Sequence, residues 1–266
     1  MKKSADMNRI IDVTKNNIAE HSQAVCFINP GHEHFQHKVG WLLQQSKTGL
    51  KIKLLYPAGE KRAAGYIEFV PGEHCWRGVR AKGYMFIHCL WTTGKPRQHK
   101  GLGGQLIRVV EAEAKGMLGV CVLTSDRAFM ARQDIFIKHG YRIVDASGSE
   151  QLLVKQFKTG PLPGLRRPRQ QKGRGLSIFY SKQCPWVARF VEEVKPILKK
   201  LNLPLSLTEL KTAAQAQNAP CVYGVFNLLY DGRVLADRYI SMTRFLNILK
   251  KEKIARTRIP GRKGIK

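Results

Sequence analysis

The chain has 266 residues, 43% of them hydrophobic, and an excess of 27 positive charges. This length supports one large domain or two modest ones with buried cores, and no apolar run approaches the roughly 18 residues of a membrane span, which excludes an integral membrane protein. The N-terminal stretch lacks the apolar region of a signal peptide, and the six cysteines are scattered without disulfide or zinc spacing. We therefore expect a cytoplasmic protein with reduced thiols, no metal and no membrane partner.

Two short segments hold much of the positive charge. Residues 160–175 contain five basic and no acidic residues, and residues 250–266 contain eight basic residues and one acidic residue. Such segments bind polyanions, nucleic acid included, through counterion release that reads no base sequence. A solvated basic tail is the favoured explanation, because such clusters contain no chemistry that reads bases. Nucleic acid stays an alternative partner that the sequence does not favour.

The N-terminal part predicts a mixed α/β sheet. Hydrophobic periodicity and glycine punctuation predict the following elements in chain order: a helix at 35–47, strands at 51–57, 63–70 and 83–91, a helix after the glycines at 101–104, a strand at 119–125, a helix at 129–141, and strands at 142–147 and 151–157. The change from a period of two to a period near 3.6 at residue 102 separates strand from helix.

A dense run of proline and glycine at residues 158–175 predicts a linker. The expected organisation is a first domain at 1–159, a basic linker at 160–175, a second domain at 176–250 and a basic tail at 251–266. For the second domain, the sequence predicts the order strand, helix, strand, short helix or turn, hairpin and closing helix.

Three local signals support this reading of the second domain. Asp231 and Gly232 between two strand-like runs predict a type I′ hairpin turn. Ser241 is the expected N-cap of the closing helix. Pro196 is expected to kink or end the first helix, because proline removes a backbone hydrogen bond and crowds the preceding turn.

The sequence "QHKGLGG", residues 98–104, lies between a predicted buried strand and an amphipathic helix. First-turn N–H groups of a helix lack intrahelical partners, so glycines at a helix start predict an anion site. A dinucleotide fingerprint would need glycine at position 106, which is Leu106, and a P-loop would need a glycine followed by Lys-Ser or Lys-Thr. Neither motif fits.

The pattern Gln98-x-x-Gly101-x-Gly103 resembles the signature of the GNAT superfamily of acyl-CoA N-acyltransferases. The segment 130–145 resembles the later helix of that family, which closes on a glycine and an aromatic residue. The resemblance covers roughly residues 25–157. With its second domain, the chain most resembles the YoaP-type branch, in which an acetyltransferase domain is followed by a small thioredoxin-like domain.

The resemblance implies acetyl-CoA as co-substrate, with no metal. Backbone amides of residues 99–104 would hold the pyrophosphate, and the strand end at Leu90 would pair with the pantetheine arm. The expected cofactor-binding residues are Leu90, Trp91, Gln98, His99, Lys100, Gly101, Leu102, Gly103 and Gly104.

Acyl transfer to an amine needs a polarised thioester, a deprotonated amine and a protonated leaving thiolate. A backbone amide near Leu90 is the implied thioester donor. His88 and Glu68 are the candidate general bases, although a packed histidine and a solvent-facing glutamate are the structural alternatives. Strand alternation places His88 and Leu90 on one face. Phe136 stands where the family often has the tyrosine that protonates the thiolate, which leaves the acid open.

Cys184 precedes a predicted helix, whose dipole would lower the pKa of the thiol. Pro220, ahead of a strand, resembles the cis proline of the thioredoxin fold. Val187 stands where a C-x-x-C motif needs its second cysteine, so Cys221 is the expected partner across a candidate thiol site at Cys184 and Cys221. The alternative is a small buried cysteine in a redox-inactive module.

Together these features predict an acyl-CoA-dependent N-acyltransferase that moves acetyl to a primary amine in a ternary complex. The second domain would recruit or shape the acceptor. The alternatives are a non-catalytic acyl-CoA-binding or nucleic-acid-binding protein on the same scaffold, and a thiol oxidoreductase at Cys184.

Overall fold

A computed structural model describes residues 7–26, 28–93, 101–127, 130–167 and 173–254. Within these ranges the strands are β1 (Arg9–Val13), β2 (Lys51–Tyr56), β3 (Gly65–Pro71), β4 (Val79–Arg80), β5 (Tyr84–Thr92), β6 (Gly119–Ser125), β7 (Arg142–Ser147), β8 (Glu150–Gln156), β9 (Gly164–Leu165), β10 (Leu176–Tyr180), β11 (Leu205–Glu209), β12 (Phe226–Tyr230) and β13 (Arg233–Ala236). The helices are α1 (Glu33–Ser46), α2 (Leu102–Glu113), α3 (Gln133–Ile137), α4 (Pro185–Lys200), α5 (Ala213–Gln217) and α6 (Met242–Lys251), with short 3-10 turns at Ile18–Glu20, Ser22–Val25 and Gly72–His74.

The first domain is a seven-stranded sheet in the order β1-β2-β3-β5-β6-β8-β7. Every neighbouring pair is antiparallel except β5 and β6, which run parallel. The mixed α/β class predicted from the sequence is therefore confirmed. The strand β1 was not among the predicted elements.

Helices cover both faces of this sheet. Apolar residues of α2 and α3 pack into one buried cluster with β3, β5, β6 and β8. Apolar residues of α1 pack into a second cluster on the other face, and this second cluster also contains Leu210, Ala216 and Val222 of the second domain. Part of the second domain thus packs into a core cluster of the first domain.

The helix predicted over residues 129–141 is shorter in the structure. Arg132, which precedes α3, is extended with φ −76° and ψ 149°, and Gly140 has φ +82°, a conformation that glycine adopts at low cost. These two residues confine α3 to Gln133–Ile137.

The second domain has a four-stranded sheet in the order β11-β10-β12-β13. The pair β10–β11 is parallel, and the other pairs are antiparallel. Asp231 and Gly232 have φ of 49° and 77°, as a type I′ turn requires, and the Ser241 side chain caps α6 by accepting from the Arg244 N–H. Among the described helices, none combines the length and apolar character needed to cross a bilayer.

Pro196 does not end its helix, because α4 continues to Lys200. The other expectation, a kink at Pro196, stays a prediction. Val191, Val194 and Leu198 are buried on both sides of the proline and pack into the core of the second domain. Tertiary burial of this apolar face outweighs the hydrogen bond that the proline removes.

The predicted linker is partly built into the fold. Gly164–Leu165 pairs with Val79–Arg80, and Leu165 is buried in the core of the first domain. At the other end, Ile254 is buried in the second domain, so packing extends past residue 250. The basic segment at 168–172 and residues 255–266 lie outside the described residues.

Candidate active site

The start of α2 faces an open groove. Gly101 precedes the helix with φ +88° and ψ −4°, and the first turn contains no acidic residue. In the part of the chain that the structure describes, the N–H groups of Leu102, Gly103 and Gly104 have no protein acceptor. A helix start with free N–H groups attracts an anion. We call this space the glycine groove, and its volume is about 390 Å³.

The glycines in this segment have a packing role in addition to the predicted ligand role. A Cβ on Gly103 would lie 2.6 Å from the Cδ1 of Ile135, and a Cβ on Gly104 would lie 2.6 Å from the Nε2 of His139. The chain around α3 therefore approaches α2 more closely than larger residues would allow. From the sequence, these glycines were expected only to give a ligand access to the backbone N–H groups.

Three cationic or imidazole side chains that the sequence analysis missed line the glycine groove: Arg108, Lys138 and His139. Arg108 lies one helical turn beyond Gly104, so its spacing was the available signal. The predicted ligands Gln98, His99 and Lys100 lie outside the described residues.

Beyond the groove, β5 and β6 diverge. The strands pair from Tyr84 to Ile87 on β5, opposite Gly119 to Val122, and no pairing continues beyond Ile87 in the described register. A narrow space of about 40 Å³, which we call the strand gap, opens there between residues 87–90 of β5 and residues 122–123 of β6. This space extends from Ile87 to Leu90, the residue near which the resemblance implies a backbone amide for the thioester.

A β-bulge sets the side-chain directions at this point. Glu68 pairs with Cys89 whereas Phe69 pairs with Ile87, so His88 is an extra residue in β5. The bulge resets the alternation, and Cys89 then packs on the side of Phe86 and His88. Leu90 packs on the opposite face. The prediction that His88 and Leu90 share a face is therefore wrong.

Glu68 is a buried carboxylate with four donors. Its Oε2 accepts from the Lys38 Nζ at 3.1 Å and the Tyr66 hydroxyl at 2.6 Å, and its Oε1 accepts from the Gln183 Nε2 at 2.8 Å. The Nδ1 of His88 lies 3.1 Å from the same Oε1. Burial acts to raise the pKa of Glu68, but Lys38 and the donated hydrogen bonds hold that pKa well below its usual value.

His88 has no unused ring nitrogen. Its Nε2 accepts from the Trp76 backbone N–H at 2.9 Å, so its Nδ1 carries the proton that faces Glu68. Burial lowers the pKa of His88 to about 4. The imidazole is therefore neutral near pH 7. Its Nδ1–H donates to the Glu68 carboxylate and so holds that carboxylate in one orientation.

A larger cavity of about 530 Å³ lies between the two domains, and we call it the interdomain cavity. Its walls consist of Cys26, Lys38, Tyr66, Glu68, Arg77, Cys89, Leu90, Trp91, Met130, Gln183, Cys184, Trp186, Tyr223, Val225, Arg238 and Tyr239. Five of these side chains also line the strand gap: Arg77, Cys89, Leu90, Met130 and Tyr223. The two spaces therefore adjoin, and the second domain supplies much of the wall that the sequence analysis did not foresee.

The candidate thiol pair does not form. Cys184 precedes α4 and lines the interdomain cavity, whereas Cys221 is absent from that wall and lies near Asp237 and Glu150. Burial raises the pKa of the Cys184 thiol and raises that of Cys221 to about 12. The predicted lowering at Cys184 is wrong, because burial outweighs the N–H groups at the helix start.

Other marks of the candidate thiol site are also missing. The described chain contains no cis peptide bond, so the bond before Pro220 is trans. Cys26 and Cys89, and not Cys221, share the cavity wall with Cys184.

Within the described ranges, no group of three or more His, Cys, Asp or Glu residues is arranged to hold a metal.

Phe136 is fully buried and packs edge-on against Tyr141, with 5.4 Å between the ring centroids. Its neighbour Ile135, and not Phe136, lines the glycine groove. The side chains of Phe136 and Ile135 have no proton to donate to the leaving thiolate.

Comparisons with known proteins find similarity to named N-acetyltransferases. The chain is 23% identical over 249 residues to the "Uncharacterized N-acetyltransferase YoaP" of Bacillus subtilis, covering 90% of this chain and 97% of that relative. A family model described as YoaP-like matches residues 204–247.

Two solved structures match part of the chain at low scores. The PaiA N-acetyltransferase of Thermoplasma acidophilum, in complex with coenzyme A, is 16% identical with a TM-score of 0.39, covering 57% of this chain and 99% of that one. A GNAT family acetyltransferase of Brucella melitensis, in complex with acetyl-CoA, is 17% identical with a TM-score of 0.34, covering 59% and 94%. The thioredoxin-like assignment of the second domain stays a prediction, whereas the predicted resemblance to YoaP-type N-acetyltransferases is confirmed.

Proposed function

We propose that the protein is an acyl-CoA-dependent N-acetyltransferase that acetylates a primary amine in the interdomain cavity. The observation that carries this proposal is a glycine groove at the start of the helix that follows β5, together with two adjoining spaces beside β5 itself. The glycine groove lies at the start of α2, the strand gap opens at Leu90, and the strand gap shares five wall residues with the interdomain cavity. The name of the Bacillus relative refers to the same class of reaction.

Acetyl-CoA supplies an acetyl group activated as a thioester. The N–H groups of Leu102, Gly103 and Gly104 would hold its phosphates, because they lie in the first turn of α2 beside a groove lined by Arg108 and Lys138. The glycines fit such a group, since side chains at these positions would fill the cradle. Gln98, His99 and Lys100 remain predicted members of the same site.

The β6-facing edge of β5 would hold the rest of the cofactor. Beyond Ile87 this edge no longer pairs with β6, so its backbone groups past His88, whose C=O accepts from Arg77, are available to a ligand with amide groups. Leu90 lies on this edge and lines both the strand gap and the interdomain cavity. We assign to this stretch the backbone amide that polarises the thioester.

Of the two predicted bases, Glu68 lines the interdomain cavity and His88 does not. The Tyr66 hydroxyl also lines this cavity and donates to Glu68. We assign to Tyr66 the acceptance of the amine proton, with its own proton passing to Glu68. His88 positions the Glu68 carboxylate from the opposite side.

The low pKa of Glu68 makes it a weak base, so it removes a proton only once bond formation has made the acceptor nitrogen acidic. The ionised carboxylate is present throughout the neutral range. The pH dependence of acetylation is therefore expected to follow the ionisation of the acceptor amine.

The test is incubation of the purified full chain with acetyl-CoA and a panel of primary amines, followed by mass spectrometry. The expected result is release of CoA matched one-to-one by acetylation of an amine. Binding of acetyl-CoA without acetylation of any amine in a broad panel would contradict the enzyme proposal and would leave the non-catalytic alternative.

A further inference from the structure

Arg238 has one hydrogen-bonding group that the fold leaves unused. Its side chain is about 9% exposed and lines the interdomain cavity. Its Nε and Nη2 are bound to Asp237 and Glu150. Its Nη1 is buried and has no partner among the described residues. A buried N–H group without an acceptor is uncommon in a folded protein, so this group is a candidate ligand contact.

Arg77 carries a charge that no carboxylate balances. It is 4% exposed and lines the same cavity. Its guanidinium donates to the backbone oxygens of Trp76 and His88 and to the side-chain oxygen of Gln183. No acidic residue in the described ranges forms an ion pair with it. A buried cation held only by neutral oxygens favours an anionic ligand.

Tyr223 brings the two guanidinium groups together. The guanidinium carbon of Arg77 lies 4.5 Å from the centroid of this ring, and that of Arg238 lies 5.4 Å from it. Arg77 of the first domain and Arg238 of the second domain thus lie beside one tyrosine of the cavity wall. This arrangement suits a planar anion, because a guanidinium binds a carboxylate through parallel N–H groups.

The charge balance favours a ligand with one negative charge. Lys38 is paired with Glu68, whereas Arg238 and the exposed Arg127 together pair with Asp237 and Glu150. Arg77 is the cation of the described wall that has no acidic partner. A single carboxylate would balance it.

The rest of the wall is aromatic and apolar, and the volume suits a small molecule. Tyr66, Trp91, Trp186 and Tyr239 line the cavity of about 530 Å³, within the roughly 300–1,000 Å³ of ligand sites. Such walls bind an apolar body through stacking and burial.

We infer that the acyl acceptor is a small amino acid with an apolar or aromatic side chain, whose carboxylate binds Arg77 and Arg238. This inference rests on the proposed function for the fate of the amine, but carboxylate binding itself does not depend on acetyl transfer. The amino group would then face Tyr66 and Glu68 across the same cavity.

The test compares free amino acids with their carboxamides, which have nearly the same size and shape but lack the negative charge and carry an NH2 donor in place of one acceptor oxygen. Binding to the full chain is measured by calorimetry, and acetylation by mass spectrometry, for the twenty amino acids and their carboxamides. We expect the best free acid to exceed its amide by at least about tenfold in affinity. The variants Arg238→Lys and Arg77→Gln are expected to reduce that preference. Arg127→Gln is the matched control, because Arg127 is exposed, contacts Asp237 and does not line the cavity.

The outcomes separate this inference from the proposed function. Acetylation of amides as readily as of acids would overturn the inference and keep the enzyme. Preferential binding of an acid without acetylation would support the inference and contradict the enzyme. Failure of every amino acid to bind overturns the inference, and because the wild-type comparison decides it, misfolding of a variant does not affect that conclusion.

Discussion

The starts of α2 and α4 are both helix N-termini that face a cavity, yet they suit opposite tasks. The start of α2 offers bare glycine N–H groups to an open groove lined by Arg108 and Lys138. The start of α4 places Cys184 on the wall of a buried space, where burial raises the pKa of its thiol. A helix dipole of the same sign acts at the start of each helix.

The difference teaches that a helix start does not define a site by itself. Around α2, solvent access and cationic neighbours reinforce the attraction for an anion. Around α4, desolvation opposes the ionised thiolate more strongly than two N–H groups favour it. Function follows from what surrounds the helix end, and four changes can break or sharpen this comparison.

The largest effect is expected at Glu68. Glu68→Gln removes the proton acceptor, so we expect kcat for acetyl transfer to fall about 100-fold or more. It also leaves Lys38 buried without its carboxylate, which should cost about 3–5 kcal/mol of stability. Steady-state kinetics and chemical denaturation measure the two effects.

The double variant Lys38→Met with Glu68→Gln separates stability from catalysis. Removing both charges should restore part of the stability while kcat stays low. Recovery of kcat together with stability would show that Glu68 acts only in folding.

The second effect concerns the glycine groove. Arg108→Glu reverses an exposed charge in the groove, so the Kd for acetyl-CoA should rise about tenfold at low salt and less at high salt. Lys115→Glu makes the same change at an exposed residue beyond α2 and serves as control. Equal effects at both positions would mean that the groove does not hold the phosphates. Calorimetry at two ionic strengths measures the difference.

The third effect is acid lability. The folded pKa of His88 is about 4 against 6.5 in its ordinary state, so the unfolded chain binds more protons between these values. Stability should therefore be fully present above pH 6.5 and should fall as the pH drops toward 4, by at most about 1.4 kcal/mol per pH unit for this group. Glu68, with its lowered pKa, adds a further loss as the pH falls below its usual range.

Urea denaturation across this pH range tests the assignment to His88. His88→Gln removes the titrating group and should flatten the slope between pH 6.5 and 4. The same substitution at the exposed His37 controls for the loss of an imidazole. An unchanged slope in His88→Gln would contradict the buried neutral histidine.

The smallest effect is expected at Cys184. Cys184→Ser should change kcat by less than about threefold, because the raised pKa keeps the thiol protonated. Iodoacetamide should label Cys184 slowly at neutral pH and faster in strong alkali. Rapid labelling near pH 6 would contradict the raised pKa and would support the reactive Cys184 thiol predicted from the sequence.

Local features of the site could be predicted from the sequence. The glycines at 101–104, the strands before and after them and the Asp231–Gly232 turn are encoded by neighbouring residues. These signals depend on backbone freedom and periodicity, which act over short stretches of chain. They located the glycine groove.

The interdomain cavity could not be predicted in this way. Gln183 reaches Glu68 from 115 residues away, and Tyr223 meets Arg77 only through packing of the two domains. The bulge at His88 adds one residue to β5, so every later side chain of that strand points to the opposite face from the one predicted. The pattern of apolar and polar residues in the sequence does not reveal this bulge. Burial then reversed the expected pKa of Cys184.

Calorimetric titration of acetyl-CoA into the wild type, Gly103→Glu and Gly40→Glu tests the central claim most directly. Gly103→Glu places a carboxylate among the free N–H groups, where even a Cβ lies 2.6 Å from Ile135, whereas Gly40 is an exposed helical glycine with open space around it. We predict one-to-one binding by the wild type and by Gly40→Glu, and an affinity at least about 100-fold lower for Gly103→Glu. Equal binding by all three proteins, or no binding by the wild type, would contradict the account.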